Sequence, residues 1–253
     1  MGTHHLLYLY LWIAPHAFQV ALAVMMVRRK LAREFPAFFL YTVFEVLQFV
    51  VLFALDKIDG VSAEQYSAAW VVGGAVSVAL RFAIVYEIFE HVFRSYPTLK
   101  EFGTLLFRWA TVVLMIVAVV LVGYSTGAEV NRFTIAISIV GRAVSVVQCG
   151  LLVLLLLLSR FLSFSWRSYA FGIALGLGFF ASVELGLSAI RTELGFATAL
   201  DFFNLLGMAT YHCCVLFWIV ALLLPQREAT SVTSVPAHNL DHWNHALRRV
   251  LHP

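Results

Sequence analysis

The chain has 253 residues, of which 62% are hydrophobic and 12% charged, with a mean hydropathy of +0.89 and a formal net charge of +3. That is more apolar surface than one core of this length can hide from water, so the composition excludes an ordinary soluble domain and points to a bilayer. The small positive balance is spread over loops, which excludes a nucleic-acid surface built on a concentrated basic patch.

Apolar runs of spanning length lie at about 5–27, 36–55, 67–93, 103–124, 132–158, 168–190 and 200–224. Each reaches the ~20 residues that a hydrocarbon core of ~30 Å requires. None alternates polar and apolar residues as a membrane β-strand does. The expected fold is an all-α integral membrane protein, a seven-transmembrane-helix bundle over residues 1–226 with a tail over 227–253.

The first run has no basic residue ahead of it, and Arg28, Arg29, Lys30 and Arg33 follow it, so it reads as a first spanning helix and not as a secretory leader. With the N-terminus outside, Arg94, Lys100, Arg108, Arg160, Arg167, Arg227, Arg248 and Arg249 join that cluster on the cytoplasmic side. Only Lys57, Arg132 and Arg191 then fall outside. The short connections suit the economy of a prokaryotic cytoplasmic membrane.

Polar residues recur at mid-depth in all the runs but one. The first carries His16 and Gln19, the second Glu45 and Gln48, the third Arg81, the fifth Arg142 and Gln148, the sixth Glu184, and the seventh Asn204 and His212. The fourth run has no deep charge or amide, and is expected to face lipid. An arginine at a helix centre costs about 2.5–3.5 kcal/mol on insertion scales, so Glu45 and Glu184 are the expected partners of Arg81 and Arg142. Two readings follow: the charges are staples that fix helix neighbours, or they form a ligand-binding layer. In the second reading the guanidiniums receive a carboxylate or phosphate and the glutamates position them.

His16 and His212 are open to three readings: satisfied core histidines, proton-responsive contacts, or ligands to haem or a metal. No pattern names a cofactor. Cys149, Cys213 and Cys214 have no CxxC or zinc spacing and read as small core residues. Glu87/His91 and Glu90/Arg94 are each four apart at the inner end of the third run, as in pairs that solvate a helix leaving the membrane.

AVSV occurs at 75–78 and again at 143–146, which is consistent with three helical hairpins following one first helix. Gly172 and Gly176 form a GxxxG suited to close helix packing. In the tail, Leu240, Trp243, Leu247 and Val250 recur at helical spacing with Arg248 and Arg249. Residues 236–253 therefore suit the membrane surface or a protein partner. His238, His242 and His245 there read as solvated or metal-binding.

A retinal pigment needs a lysine within a helix, but Lys30, Lys57 and Lys100 sit at helix ends or in loops. The HExxH and GxSxG motifs of common hydrolases are missing, which speaks against an enzyme. The expected function is a receptor-like module binding a small anionic or amphipathic ligand through Arg81, Arg142, Glu45, Glu184, His16, His212, Gln19, Gln48, Gln148 and Asn204. A small-solute transporter is the alternative, and a structural or haem-binding subunit of a membrane complex a further one.

Overall fold

The computed structural model describes residues 2–58, 60–92, 105, 108–109, 112–113, 116, 139–151, 153, 168–194 and 200–224. These form α1 (Gly2–Arg28), α2 (Leu31–Glu34), α3 (Pro36–Lys57), α4 (Ala63–Val92), α5 (Ile139–Leu151), α6 (Tyr169–Leu194) and α7 (Leu200–Leu223). Five of them, α1, α3, α4, α6 and α7, are long and apolar enough to cross a membrane. The run at 103–124 and the outer parts of 132–158 fall mostly outside the described residues, as does the whole tail. Within 103–124, Leu105, Arg108, Trp109, Val112, Val113 and Ile116 are helical and exposed.

Local chemistry sets the turn between α1 and α3. Lys30 closes α1 in the left-handed conformation, φ 62°, a position that usually favours glycine. The short α2 follows, and its Leu31 and the adjoining Phe35 are both buried. Pro36 then opens α3 at a position where its missing N–H is no loss.

Phe35 offers no side-chain cap to α3. Glu87 of α4 supplies it instead: its two carboxylate oxygens accept the N–H groups of Ala37 (2.8 Å) and Phe38 (3.1 Å). Glu87 thus ties two helices together, where an intrahelical pair with His91 was expected. His91 Nε2 lies 3.6 Å from Glu34 Oε1. At the same end of the bundle, Arg29 Nη1 donates to the carbonyls of Leu222 (2.6 Å) and Leu223 (3.0 Å), satisfying acceptors that the end of α7 leaves open.

The spans close into a ring: α1 packs on α3, α3 on α4, α4 on α6, α6 on α7, and α7 back on α1. α5 lies across the α4–α6 seam. An added Cβ at Gly141 would meet Val78 at 3.5 Å, and Cys149 Sγ lies 3.3 Å from Ser182 Oγ. The α6–α7 contact uses the GxxxG, since a Cβ at Gly172 would stand 3.0 Å from that of Ala221, and one at Gly176 would fall 2.8 Å from Trp218 Cε2. Trp218 is fully enclosed there, edge-on to Phe38 at 5.1 Å, with its indole N–H on the Ile173 carbonyl at 3.3 Å.

The ring is filled unevenly. Leu22, Met26, Phe35, Phe38, Ile84, Ile88, Ile173, Leu177, Val215, Trp218 and Leu222 belong to one buried cluster around the end carrying Arg29. Outward faces are apolar: Leu40, Leu47, Val50 and Val51 of α3 are each more than half exposed, as on a helix that crosses a membrane. Of the cysteines, Cys214 is buried, Cys149 half-buried and Cys213 exposed, so Cys213 is no core residue.

Candidate functional site

The other half of the ring is hollow. A cavity of about 790 Å³ is walled by Tyr8, Trp12 and His16 of α1, Tyr41, Glu45 and Gln48 of α3, Trp70 to Arg81 of α4, Arg142 and Ser145 of α5, Phe180 to Ser188 of α6, and Phe203 to Tyr211 of α7. It begins at Arg81, Tyr41, Phe180 and Tyr211, where the apolar cluster ends, and extends toward the end carrying the start of α1. Pro15 lies on its wall as well, and because proline has no N–H, the Leu11 carbonyl beside it has no intrahelical donor.

The four deep charges are distributed unequally. Arg81, only 7% exposed, donates from Nη1 to Glu184 Oε2 at 2.8 Å, and Ser145 donates to the same oxygen at 2.9 Å. The Arg81 guanidinium carbon also lies 6.0 Å from the centre of the Phe180 ring, while its Nε has no partner. Glu45 accepts the Ser77 hydroxyl and, among the described residues, forms no ion pair. Arg142, exposed on the α5 wall, likewise forms none. Among the described residues, the pairing of deep charges is therefore made once, by Arg81 and Glu184, and Glu45 and Arg142 remain over.

Behind the α1 wall runs a hydrogen-bonded chain. His16 Nδ1 lies 2.9 Å from Gln19 Oε1, and the ring is stacked on Phe49 at 4.2 Å. The amide of the buried Gln19 donates to the Tyr211 hydroxyl, with the hydroxyl of Tyr41 beside it. This chain joins α1, α3 and α7 in a layer that the apolar packing alone would leave unspecified.

The structure brings Arg81, Arg142, Glu45, Glu184, His16, Gln48 and Asn204 onto the cavity wall. Gln19 stands behind it. His212 lies on the α1–α7 seam, its Nε2 3.3 Å from the Tyr10 hydroxyl and its ring edge-on to Phe18 at 5.5 Å. Gln148 is buried on α5 away from the lining, with neither amide atom partnered, and Gln48 Oε1 and His212 Nδ1 also have no partner. Tyr41, Ser77, Ser145 and Tyr211 escaped the sequence reading, although Tyr41/Glu45 and Ser77/Arg81 share the four-residue spacing of one helix face. Among the described residues no three His, Cys, Asp or Glu side chains cluster as metal ligands would.

Fold and surface define the class: a multi-pass helical membrane protein. No protein family, curated protein or solved structure matches the chain.

Proposed function

We propose that this chain is a receptor-like binding module of the membrane, whose cavity receives a small amphipathic molecule through an anionic group held by Arg142. The observation that carries this reading is a guanidinium on the wall of a 790 Å³ space with no acid against it among the described residues, while the other deep arginine has one. An unpaired arginine at membrane depth is unfavourable, and a carboxylate or phosphate accepting its planar fork removes that penalty. The volume suits a small organic molecule, for which sites of about 300–1,000 Å³ are usual, and Tyr8, Trp12, Trp70, Phe180 and Phe203 suit an apolar body.

Arg28, Arg29, Lys30 and Arg33 cluster at the filled end of the bundle, which supports a cytoplasmic placement of that end and a cavity facing outward. The filled half favours binding over transport, because passage would have to displace side chains as large as Phe38 and Trp218.

The test is gentle purification followed by mass spectrometry of co-purifying small molecules, comparing wild type with Arg142→Met. An anionic compound present in the first and lost in the second is the expected result. Equal recovery from both would remove Arg142 from the site.

A further inference from the structure

Arg142 has a counterpart of opposite sign in the same cavity. Glu45 gives one oxygen to Ser77, its second oxygen accepts nothing from the described residues, and its carboxylate forms no ion pair there. Arg81 stands near enough to act on Glu45 electrostatically, but its hydrogen bond goes to Glu184. One turn along α3, Gln48 turns toward α4 so closely that a Cβ at Gly73 would fall 2.6 Å from its Cδ, and its Oε1 is buried without a donor. Among the described residues, the α3 wall therefore presents a carboxylate oxygen lacking a donor, with the buried Gln48 Oε1 beside it also undonated, and the α5 wall presents a donor lacking an acceptor. They flank α4 from opposite sides, since α3 packs on α4 directly and α5 packs across the α4–α6 seam.

We infer that the ligand is a zwitterion: its anionic group lies on Arg142, and an ammonium group reaches across the cavity to Glu45. This rests on the binding role proposed above and narrows its ligand class. Charge balance supports it. Among the described lining residues and with Glu45 ionised, the carboxylates of Glu45 and Glu184 offset the guanidiniums of Arg81 and Arg142, so a simple anion would leave the cavity one charge in excess, whereas a dipolar ligand leaves it neutral. Trp12 and Trp70 add aromatic faces that favour an ammonium. Free amino acids with an apolar side chain and phospholipid headgroups bearing a primary amine share this chemistry.

The test uses purified full-length protein with three probes that differ only in charge: phenylalanine, 3-phenylpropanoate and 2-phenylethylamine. In parallel, lipid retention is measured from membranes of phosphatidylethanolamine and phosphatidylglycerol. A charge-assisted contact corresponds to about tenfold or more in affinity, so phenylalanine is expected to bind at least that much more tightly than either single-charge analogue. Glu45→Gln should abolish that preference while Glu45→Asp retains it. Selective retention of phosphatidylethanolamine, lost in Glu45→Gln, would support the same chemistry with a lipid as its source. Equal binding of phenylpropanoate, or equal retention of phosphatidylglycerol, with loss on Arg142→Met, would overturn the zwitterion and leave the anion site standing. Binding of the amine alone as tightly, or no binding and no retained lipid, would overturn both. If Glu45→Gln does not fold, the comparison of probes on the wild type decides the matter unaided.

Discussion

Removing one member of the Arg81–Glu184 pair should destabilise the bundle unequally, depending on which member goes. Breaking a buried ion pair from one side costs about 3–5 kcal/mol, because the survivor is left charged without compensation. Glu184→Leu leaves Arg81, 7% exposed, with Nη1 robbed of its acceptor and Nε already without one, so about 3 kcal/mol or more is expected. Arg81→Met leaves Glu184, whose side chain is 43% exposed to the cavity and keeps the Ser145 hydroxyl. Solvent screening then reduces the loss to about 1–2 kcal/mol. The double change Arg81→Met with Glu184→Leu should lie near wild type, since apolar replacement of a buried pair is often neutral. Reversible unfolding in mixed micelles, titrated with a denaturing detergent, reads all three. Equal losses in the two single variants, or a double variant as weak as the sum of both, would refute the reasoning.

Gly176→Ala should cost about 1–3 kcal/mol by crowding Trp218, which cannot turn without vacating the core, whereas Gly150→Ala, where an added Cβ meets nothing within 4 Å among the described residues, should be neutral or gain up to about 1 kcal/mol. The same micelle titration compares them. Glu87→Leu should lose about 1–2 kcal/mol by uncapping α3, and hydrogen exchange at the Ala37 and Phe38 amides should rise with it. Lys30→Gly should stabilise by up to about 1 kcal/mol, because its left-handed backbone then carries no side-chain penalty, visible as a higher melting temperature.

The spans at 5–27, 36–55, 67–93, 168–190 and 200–224 were legible because apolar length is a strong signal, and the helices found run within a few residues of them. The four-residue α2 was not, since LARE sits in a basic connection with no repeating pattern. Depth along a helix was also legible, and it brought His16 and Arg81 into one layer. Direction around the helix was not. His212 and Tyr211 are neighbours in the chain and differ by about 100° of rotation, so one faces the seam with Tyr10 while the other faces the cavity. Which glutamate meets Arg81 depends on the order of helices in the ring, and apolar runs of similar length carry no record of that order. Glu87 shows the same gap, since its spacing from His91 suggested a local pair and its position beside α3 made it a cap.

The central requirement is a cavity, mostly apolar and carrying charged groups, that reaches from the end carrying the start of α1 down to Arg81 and stops there. Thiol accessibility tests it most directly, in a background with Cys149, Cys213 and Cys214 replaced. Ser77→Cys and Ser188→Cys, half-buried on the cavity wall, should react with a charged, membrane-impermeant reagent applied to the outer face of intact cells. Ile84→Cys, one turn below in the sealed cluster, should not react. Reaction at Ile84→Cys, or protection of both wall positions from the outside, would contradict a cavity closed at Arg81 and open outward.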